Sequence, residues 1–466
     1  MSFPSVILLV LVTTSALAAQ PESLPPPAPF QPKVEDPMLT PVPPAQRLVG
    51  NWDEALTLVR ERSTDLRLAE ANIQRAEARW RQALAALLPN VRASVGVGHD
   101  VLNPDNAVLA LGAGGGTTLP STPGPDGRRP TVPLVAGAVS VSQSLVDFGA
   151  WRGLSSAEAA ETGAVANLQD VRRRLTLGMA RVLVATVAAE RVAELNRVGL
   201  RQALERAALT QRIFELGASN QLDVVRVNQD VSVARGALVS GDEQLRRARE
   251  ALGLSLGLDR ATGVSPAFNL QGLVEQIRQV CAPLESVSAR PDLVAARAQL
   301  ESARDSRRQA SAGYLPTLGL SSSLLGYTTE PAPGRLATWN ISAVLSVPLW
   351  EGGLRGGVVS ERQGIEQQAA ETLERTRRDV ELEVARSRRS VEVAEALVKT
   401  AAESRSLAER TDQLTRRSFE VGRGSSLELV QSGAALRQAE LALALREFEL
   451  VQARLDAFLT EARCDW

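Results

Sequence analysis

The sequence is poor in the side chains that enzymes and metal sites use most often. Its 466 residues include one histidine, His99, and two cysteines, Cys281 and Cys464, which form no CxxC pair. Metal sites and general bases that depend on histidine are therefore nearly excluded. Walker, GxSxG, HExxH and dinucleotide-binding motifs are also missing from the sequence. We expect neither an enzyme nor a bound cofactor or metal.

The sequence also has no excess of positive or of negative charge. The chain has 52 basic and 53 acidic residues, a formal net charge of −1. This balance gives no electrostatic case for nucleic acid as a partner, and it does not indicate a polybasic membrane-surface protein. Aromatic residues make up only 3%, which is low for a compact globular core. Ala, Leu, Arg, Glu and Gln dominate long tracts instead, as in long helices and coiled coils.

Long hydrophobic runs are confined to the N-terminus. Val6–Val12 is apolar and is followed by Ala16-Leu17-Ala18, which predicts a signal peptide over residues 1–19. Residues 1–5 carry no Lys or Arg, which departs from the usual pattern, and a buried N-terminal helix is the alternative. Because no later stretch contains 18 apolar residues, an integral membrane part of the mature chain must be a β-barrel.

The distribution of proline marks the remaining organisation. Residues 20–46 contain ten prolines, so we predict an extended linker there. In contrast, proline is missing between Pro133 and Pro266 and again after Pro348. Because proline inside a helix costs about 3 kcal/mol, these two tracts, which are rich in helix formers, are predicted to be long helices.

The chain contains an internal duplication. Residues 65–89 match residues 292–316, residues 145–153 match 348–356, and residues 209–217 match 414–422. Three matched blocks in the same order indicate a tandem repeat of roughly 200 residues. We predict a first repeat at 47–260, a connector at 261–290 in an equatorial region, and a second repeat at 291–466.

Each repeat has the same predicted layout. A helix ends at Leu-Pro, a β-hairpin follows (90–147 or 317–349), and then come a long helix, a glycine turn and a return helix. At 1.5 Å per residue, the long helices of about 63 residues span roughly 95 Å and the shorter ones roughly 50 Å. Two short helices placed end to end therefore match one long helix, as a continuous tube of packed helices requires.

The predicted hairpins alternate between apolar and small or polar residues. Val91, Val95 and Val97 in one strand, and Ile341 and Leu345 in another, lie at every second position. This alternation is typical of transmembrane β-strands, although a half-buried soluble sheet produces it as well. An isolated hairpin is marginal in water, which favours the membrane. Five aromatic residues flank the strands, as interfacial girdles would: Trp151, Tyr314, Tyr327, Trp339 and Trp350.

Four strands per chain are too few to close a barrel, because single-chain barrels begin at eight strands. An open sheet edge in lipid would leave backbone groups unpaired. We therefore predict a mainly α chain with a small β part, of which three copies form one twelve-stranded transmembrane barrel above a long α-helical barrel. The loop at 102–131, with the glycine run 112–116, is predicted to be a flexible extracellular loop rather than a phosphate site.

In its duplicated order, the chain resembles the TolC-like outer-membrane efflux proteins over roughly residues 50–460. Arg290-Pro291-Asp292-Leu293, which opens the second repeat, also resembles that family. The resemblance implies a homotrimer in the outer membrane of a Gram-negative bacterium, with its barrel in the lipid and its helices in the periplasm. It further implies a passive exit duct for a tripartite efflux pump or a type I secretion system, docked onto a periplasmic adaptor (membrane fusion protein) and an inner-membrane transporter.

The same resemblance assigns residues to a gate at the periplasmic tip, which also contacts the adaptor. These residues are Gly217 and Asp223 in the first repeat, and Phe419, Gly422, Arg423, Glu428 and Gln431 in the second. Asp223 and Glu428 would form an acidic ring that favours cations. They also suit a structural role as N-terminal helix charges. Gln431 replaces a second acidic residue of some relatives, and Phe419 replaces a gating tyrosine.

Two questions stay open at this stage. Cys281 lies in the connector and Cys464 follows the last helix, so in an oxidising compartment they form either a disulfide or two free thiols. The alternative to a channel is a soluble periplasmic coiled-coil protein, an adaptor or scaffold whose hairpins are small interaction domains.

Overall fold

A computed structural model describes residues 32–111, 116–120, 127–330 and 337–466. The predicted signal peptide, residues 20–31 of the linker and residues 112–115 of the glycine run lie outside the described residues. The helices are α1 (Trp52–Arg62), α2 (Thr64–Ala85), α3 (Phe148–Glu215), α4 (Gln221–Ser255), α5 (Leu273–Val280), α6 (Pro291–Ala312), α7 (Leu354–Glu420) and α8 (Ser426–Thr460). In the described part of the chain, none of these helices is both long and apolar enough to cross a membrane.

Short strands and one larger sheet accompany the helices. The strands are β1 (Arg47–Val49), β2 (Asn90–Gly98), β3 (Ala107–Leu109), β4 (Thr117–Leu119), β5 (Arg129–Pro130), β6 (Leu134–Val146), β7 (Thr262–Val264), β8 (Cys281–Pro283), β9 (Thr317–Tyr327), β10 (Thr329–Glu330), β11 (Ala337–Ser346) and β12 (Ala462–Cys464). The four-stranded antiparallel sheet has the order β11-β9-β6-β2. Its two outer strands each have one edge without a partner strand in the described chain.

The long helices organise the molecule into four columns. The 68 residues of α3 span about 100 Å, which is long enough for α2 and α4 to pack along it one after the other, and likewise α6 and α8. The second long helix, α7, packs on α6 and α8. The columns therefore follow the order α2/α4, α3, α6/α8, α7. This open row confirms the predicted mainly helical, duplicated fold.

The burial of the two long helices shows which of them lies at an edge. Eighteen residues of α3 are buried, but only five of the 67 residues of α7. A helix packed on both sides buries residues over most of its circumference, whereas an edge helix does not. The α7 column is therefore an outer column of the row, on the same side as the edge strand β11 that precedes it.

The main apolar core lies halfway along the long helices, at the level where the short helices end. There Leu183 of α3, Leu252 of α4 and Leu455 of α8 are fully buried, together with Trp52 of α1 and Ile277 of α5. The connector between the repeats, residues 261–290, contributes β7, α5 and β8 to this level. The equatorial region is therefore the part of the chain that holds the column ends together.

A disulfide bond joins Cys281 to Cys464 in this core, and the two residues are 183 positions apart. They are also opposite each other in the β8–β12 pair, and both are almost completely buried. The sequence left a bond and two free thiols equally open, and the structure has the bond. It ties the connector directly to the strand that follows the last helix.

The two faces of the sheet differ as their alternation predicts. On one face, Val95 is 80% and Val97 64% exposed, and the paired strands continue this apolar face. Ser322 interrupts that face in the sequence, but its hydroxyl accepts a hydrogen bond of 2.8 Å from the indole N–H of Trp339. The opposite face carries polar residues in register across all four strands: Arg92, Ser140, Ser323 and Asn340.

Three parts differ from the sequence-based expectation. The first helix is divided at Ser63, whose hydroxyl caps α2 by accepting from the N–H of Leu66. The predicted loop at 102–131 contains β3, β4 and β5, and β5 pairs with β10 of the second repeat. The described end of the predicted linker, residues 32–46, packs against the protein: Met38 and Leu39 contact an apolar cluster of α3 and α4. Asp36 also forms a 2.8 Å ion pair with Arg235 of α4.

Nearer the tip, a buried ion cluster joins helices of both repeats. Asp230 of α4 accepts hydrogen bonds from Arg206 of α3, at 3.1 Å, and from Arg437 of α8. Glycines provide the space: a Cβ at Gly433 would lie 2.7 Å from Cζ of Arg206, and one at Gly199 would lie 2.7 Å from Cδ of Arg437. Burial is the main cause that lowers the pKa of Arg206, so this guanidinium depends on Asp230.

The disulfide leads to a prediction about stability. Replacing both cysteines by alanine should lower the free energy of unfolding by about 2–4 kcal/mol, because the bond restricts a long loop of the unfolded chain. The measurement is the melting temperature of the purified protein in detergent. Each single variant should melt with the double variant, since either change removes the bond. A double variant that melts like the wild type would contradict this.

A second prediction concerns Asp230. Asp230→Asn keeps the size of the side chain but removes the carboxylate shared by the buried Arg206 and the half-buried Arg437, so we expect a loss of about 3–5 kcal/mol. The readout is again thermal unfolding, together with proteolysis of the α4–α8 region. The matched control is Glu449→Gln, which removes an exposed ion pair with Arg446 within α8. Such pairs contribute about 0–1 kcal/mol. Equal melting of both variants would show that the cluster is not a structural centre.

Candidate functional site

The two helix-turn-helix tips are built in the same way. Gly217 ends α3 with φ of +75°, and Gly422 ends α7 with φ of +74°. This left-handed conformation strongly favours glycine and closes the C-terminal end of a helix. The N–H of Gly217 donates to the carbonyl of Phe214 at 2.9 Å, and that of Gly422 to Phe419 at 3.0 Å. The two turns are therefore structural copies, as the duplication predicts.

A capping box starts the return helix at each tip. The side-chain oxygen of Asn220 accepts from the N–H of Asp223 at 3.0 Å, and the Asp223 carboxylate accepts from the N–H of Asn220. Ser425 and Glu428 make the equivalent pair, with 3.2 Å between the Glu428 nitrogen and the Ser425 hydroxyl. Each acidic residue therefore has a structural function at its helix N-terminus, which is the alternative that the sequence left open.

The Asp223 carboxylate also links the two tips. It accepts a hydrogen bond from the hydroxyl of Ser426, the first residue of α8 in the other repeat. Ser219, in the same tip as Asp223, donates a second hydroxyl hydrogen bond at 2.9 Å, and Arg226 lies 3.5 Å away. The two tips are thus joined by one side-chain contact between a charged acceptor and a buried hydroxyl.

Its partners set the charge state of Asp223. The hydrogen bond from Ser426 is the largest cause that lowers the pKa of the Asp223 carboxyl below its ordinary value. Ser219, the N–H of Asn220 and the charge of Arg226 act in the same direction, while desolvation opposes them. The carboxylate therefore remains an ionised acceptor at neutral and mildly acidic pH. The contact loses its stabilisation as the pH falls through this lowered pKa.

The remaining predicted residues are placed around the α7–α8 turn. Phe419 is buried, and its backbone lies against the turn: a Cβ at Gly424 would be 2.9 Å from the nitrogen of Phe419. Arg423 and Gln431 are exposed. The structure thus brings Asp223 to the N-terminal end of α8, next to the turn of Gly422. It leaves Arg423 and Gln431 at the surface, where they are open to a partner.

Sequence reasoning missed Ser426 and the ion cluster of Asp230. The sequence does carry a signal for each. Ser425 caps α8, so the second serine of this pair was available for another contact. Asp230 lies between Val227 and Ala234 on the apolar stripe of α4, where a charged residue requires a buried partner. In the described residues, no group of three or more His, Cys, Asp or Glu side chains is arranged to hold a metal ion.

Comparison with solved structures shows the same fold in outer-membrane proteins. VceC of Vibrio cholerae aligns with a TM-score of 0.72 at 15% identity, covering 88% of this chain and 95% of VceC. The MtrE outer membrane channel of Neisseria gonorrhoeae, solved in an open state, aligns with a TM-score of 0.70 at 16% identity. That alignment covers 92% of this chain and 97% of MtrE. At these identities the likeness concerns the fold alone.

Among curated proteins, Nodulation protein T of Rhizobium leguminosarum bv. trifolii is 26% identical over 231 residues. The match covers 47% of this chain and 48% of that protein, so it spans about half of the relative. The family model for outer membrane efflux proteins matches two segments, residues 55–258 and 283–456, one in each repeat. The gap between these segments, residues 259–282, covers most but not all of the connector, and the segments together cover well over half of the chain.

These matches decide between the two classes of protein that the sequence allowed. The family is one of channel proteins of the outer membrane, which confirms the predicted family and location and does not support the soluble adaptor or scaffold. The chain belongs to the outer membrane efflux protein family.

Proposed function

We propose that three copies of this chain form an exit duct through the outer membrane for a tripartite efflux pump or a type I secretion system. The observation that carries the proposal is that the sheet and the row of helices have their open edges on the same two sides of the chain. The sheet ends at β2 on one side and β11 on the other, and the helical row ends at α2/α4 and α7 on the same two sides. One contact between neighbouring copies would close both layers at once.

The number of copies follows from the strand count. Four strands per chain give twelve strands in a trimer, which exceeds the minimum of eight for a transmembrane barrel. Pairing of β2 with β11 of the next copy would satisfy the backbone groups that lipid cannot satisfy. The apolar sheet face would then meet the membrane, and the polar face would line the pore.

The same proposal assigns the remaining parts of the chain. Residues 1–19 are a removable signal peptide and residues 20–46 the segment that leads to the first repeat. The repeats at 47–260 and 291–466 each supply half of the helical wall, and the connector at 261–290 forms the equatorial region. The exposed residues at the tips, Arg423 and Gln431 among them, would contact a periplasmic adaptor coupled to an inner-membrane transporter.

Deleting the gene tests the exported class. We expect loss of export of a defined set of small toxic solutes or of a secreted polypeptide, restored by the wild-type gene. Profiling growth against drugs and metals, together with the secreted proteins, separates the pump from the secretion system. Unchanged profiles in every arm, despite normal expression of the wild type, would reject the duct.

For the gate, we propose that the contact of Asp223 with Ser426 holds the tip closed. Ser426→Ala removes this contact but leaves both capping boxes intact, so the folded tip is preserved. Hydrogen bonds to a charged group contribute about 1.5–3 kcal/mol each, and a trimer would lose three of them. We expect Ser426→Ala to raise the conductance of the reconstituted channel and to sensitise cells to a large hydrophilic antibiotic.

Ser219→Ala is the matched control for the gate. Ser219 also donates a hydroxyl hydrogen bond to Asp223, but from the same tip, so its loss breaks no link between the repeats. The control should conduct like the wild type. Because the pKa of Asp223 is lowered, the wild-type channel should stay closed at pH 5–7 and open only in stronger acid. If Ser219→Ala and Ser426→Ala open the channel equally, the link between the tips is not the gate.

A further inference from the structure

The four-stranded sheet contains a single charged residue. Its strands are Asn90–Gly98, Leu134–Val146, Thr317–Tyr327 and Ala337–Ser346. Among all of these residues, only Arg92 carries a charge at neutral pH. An arginine on the lipid face of a transmembrane barrel costs about 2–4 kcal/mol at the middle of the bilayer. Whether the sheet can lie in a membrane without this cost therefore depends on the face that Arg92 occupies.

The strand register places Arg92 on the polar face. One row of paired residues crosses all four strands and consists of Arg92, Ser140, Ser323 and Asn340. Residues that are paired in antiparallel strands share a face, and successive residues of a strand lie on opposite faces. The adjacent Val91 is 67% exposed and belongs to the apolar face. The row of Arg92 therefore points away from the lipid and, in the proposed trimer, into the pore.

The polar face around Arg92 offers hydrogen-bond donors but no acid. The next row towards the helices consists of Asn90, Ser142, Ser321 and Ser342. The hydroxyl oxygens of Ser321 and Ser342 are 2.7 Å apart, so these two side chains are hydrogen-bonded to each other. Hydroxyl and amide groups donate hydrogen bonds, as a guanidinium group does. Because the strands contain no Asp or Glu, a strand of a neighbouring copy cannot neutralise Arg92 either.

The charge of Arg92 is also unpaired within its own chain. Of the described residues, none places a carboxylate within 4.0 Å of its guanidinium group. Asp147, which follows β6, lines the same cleft as Arg92, but its carboxylate accepts from the N–H of Ala150 at 2.9 Å and caps α3. Glu351, which follows β11, forms an ion pair with Arg355. Both acidic residues at the base of the sheet therefore have other partners.

We propose that three copies of Arg92 form a cationic ring in the membrane part of the pore, which favours the passage of anionic solutes. The inference rests on the proposed function, since only a closed trimer brings the three guanidinium groups into one lumen. A ring of charge in a pore selects ions of the opposite sign. A guanidinium group matches carboxylates and phosphates in particular, because it can donate two parallel hydrogen bonds to them. Arg92 is the third residue of β2, so the ring lies near the helical end of the sheet, far from the gate at the tip.

Reversal potentials of the reconstituted channel in a potassium chloride gradient test the ring. We expect the permeability ratio of chloride to potassium to be the same in the wild type and in Arg92→Lys, and to be lower by about 3- to 10-fold in Arg92→Glu. The difference should shrink between 0.1 M and 1 M salt, because the Debye length falls from about 10 Å to about 3 Å. Equal ratios in the wild type, Arg92→Lys and Arg92→Glu would overturn the ring.

A thiol at position 92 tests the same charge in a channel that is already folded. Cys281 and Cys464 are bonded to each other, so Arg92→Cys introduces the only free thiol of the chain. An anionic methanethiosulfonate should lower the chloride-to-potassium ratio of this variant, and a cationic one should raise it. The matched control is Val91→Cys on the apolar face, where neither reagent should change the ratio. A response of Val91→Cys without a response of Arg92→Cys would contradict the proposed orientation of the sheet.

Conductance itself separates this inference from the proposed function. If the purified and folded wild-type protein forms no ion-conducting pore in a bilayer, the proposed duct fails together with the ring. If pores form but the ratio responds neither to Arg92→Glu nor to the reagents at Arg92→Cys, only the ring fails.

Discussion

Satisfaction of backbone hydrogen bonds at the edges of a four-stranded sheet is the constraint on which this molecule depends. Strands β2 and β11 each offer a row of N–H and C=O groups with no partner in the described chain. Water can satisfy such groups, but hydrocarbon cannot, and each unpaired group there costs several kcal/mol. A chain with one apolar sheet face and two open edges is therefore complete in a membrane only as part of a closed ring.

The helical part has the same two edges as the sheet, because α2 leads directly into the edge strand β2 and the edge strand β11 leads into α7. The lengths make this possible: a 22-residue and a 35-residue helix placed end to end, together with the gap between them, reach about the length of one long helix of 67 or 68 residues. A column made of two short helices has a gap between the helix ends at mid-height. The equatorial core, the connector and the buried disulfide all lie at this gap, which explains why most of the fully buried large side chains are concentrated there.

Duplication produced two similar halves, and the departures from similarity lie at the two ends of the pore. At the tips, both repeats have a glycine turn and a capping box, but only Asp223 has a contact described with the other repeat. At the other end, the loop of the first repeat contains the pair of strands β3 and β4, whereas β9 and β11 of the second repeat pair without an insertion of comparable length between them. The parts that the repeats share are the long helices, the paired strands and the capped turns, and the departures lie in the connections between them.

Features with a short-range physical cause could be predicted from the sequence. Helices need helix formers without proline, which predicted long helices of about 63 residues ending near Gly217 and Gly422, and the structure has 68 and 67 residues. Turns with positive φ need glycine, and a strand with one exposed face needs alternating apolar and polar residues. The turns at the tips and the two faces of the sheet could therefore also be predicted from the sequence. Ser322 looked like a defect in the apolar face until the structure placed the indole of Trp339 beside it.

Tertiary structure alone decided the contacts between segments far apart in the chain. These are the hydrogen bond from Ser426 to Asp223, the position of Asp230 between two arginines, and the approach of the backbone at residues 108–110 to Gly96 and Gly98. Each depends on how one helix or strand is rotated and shifted against another, and periodicity specifies which face is buried but not its exact neighbour. The sequence by itself therefore determined the elements, their lengths and their faces, while packing determined which side chains of distant segments meet.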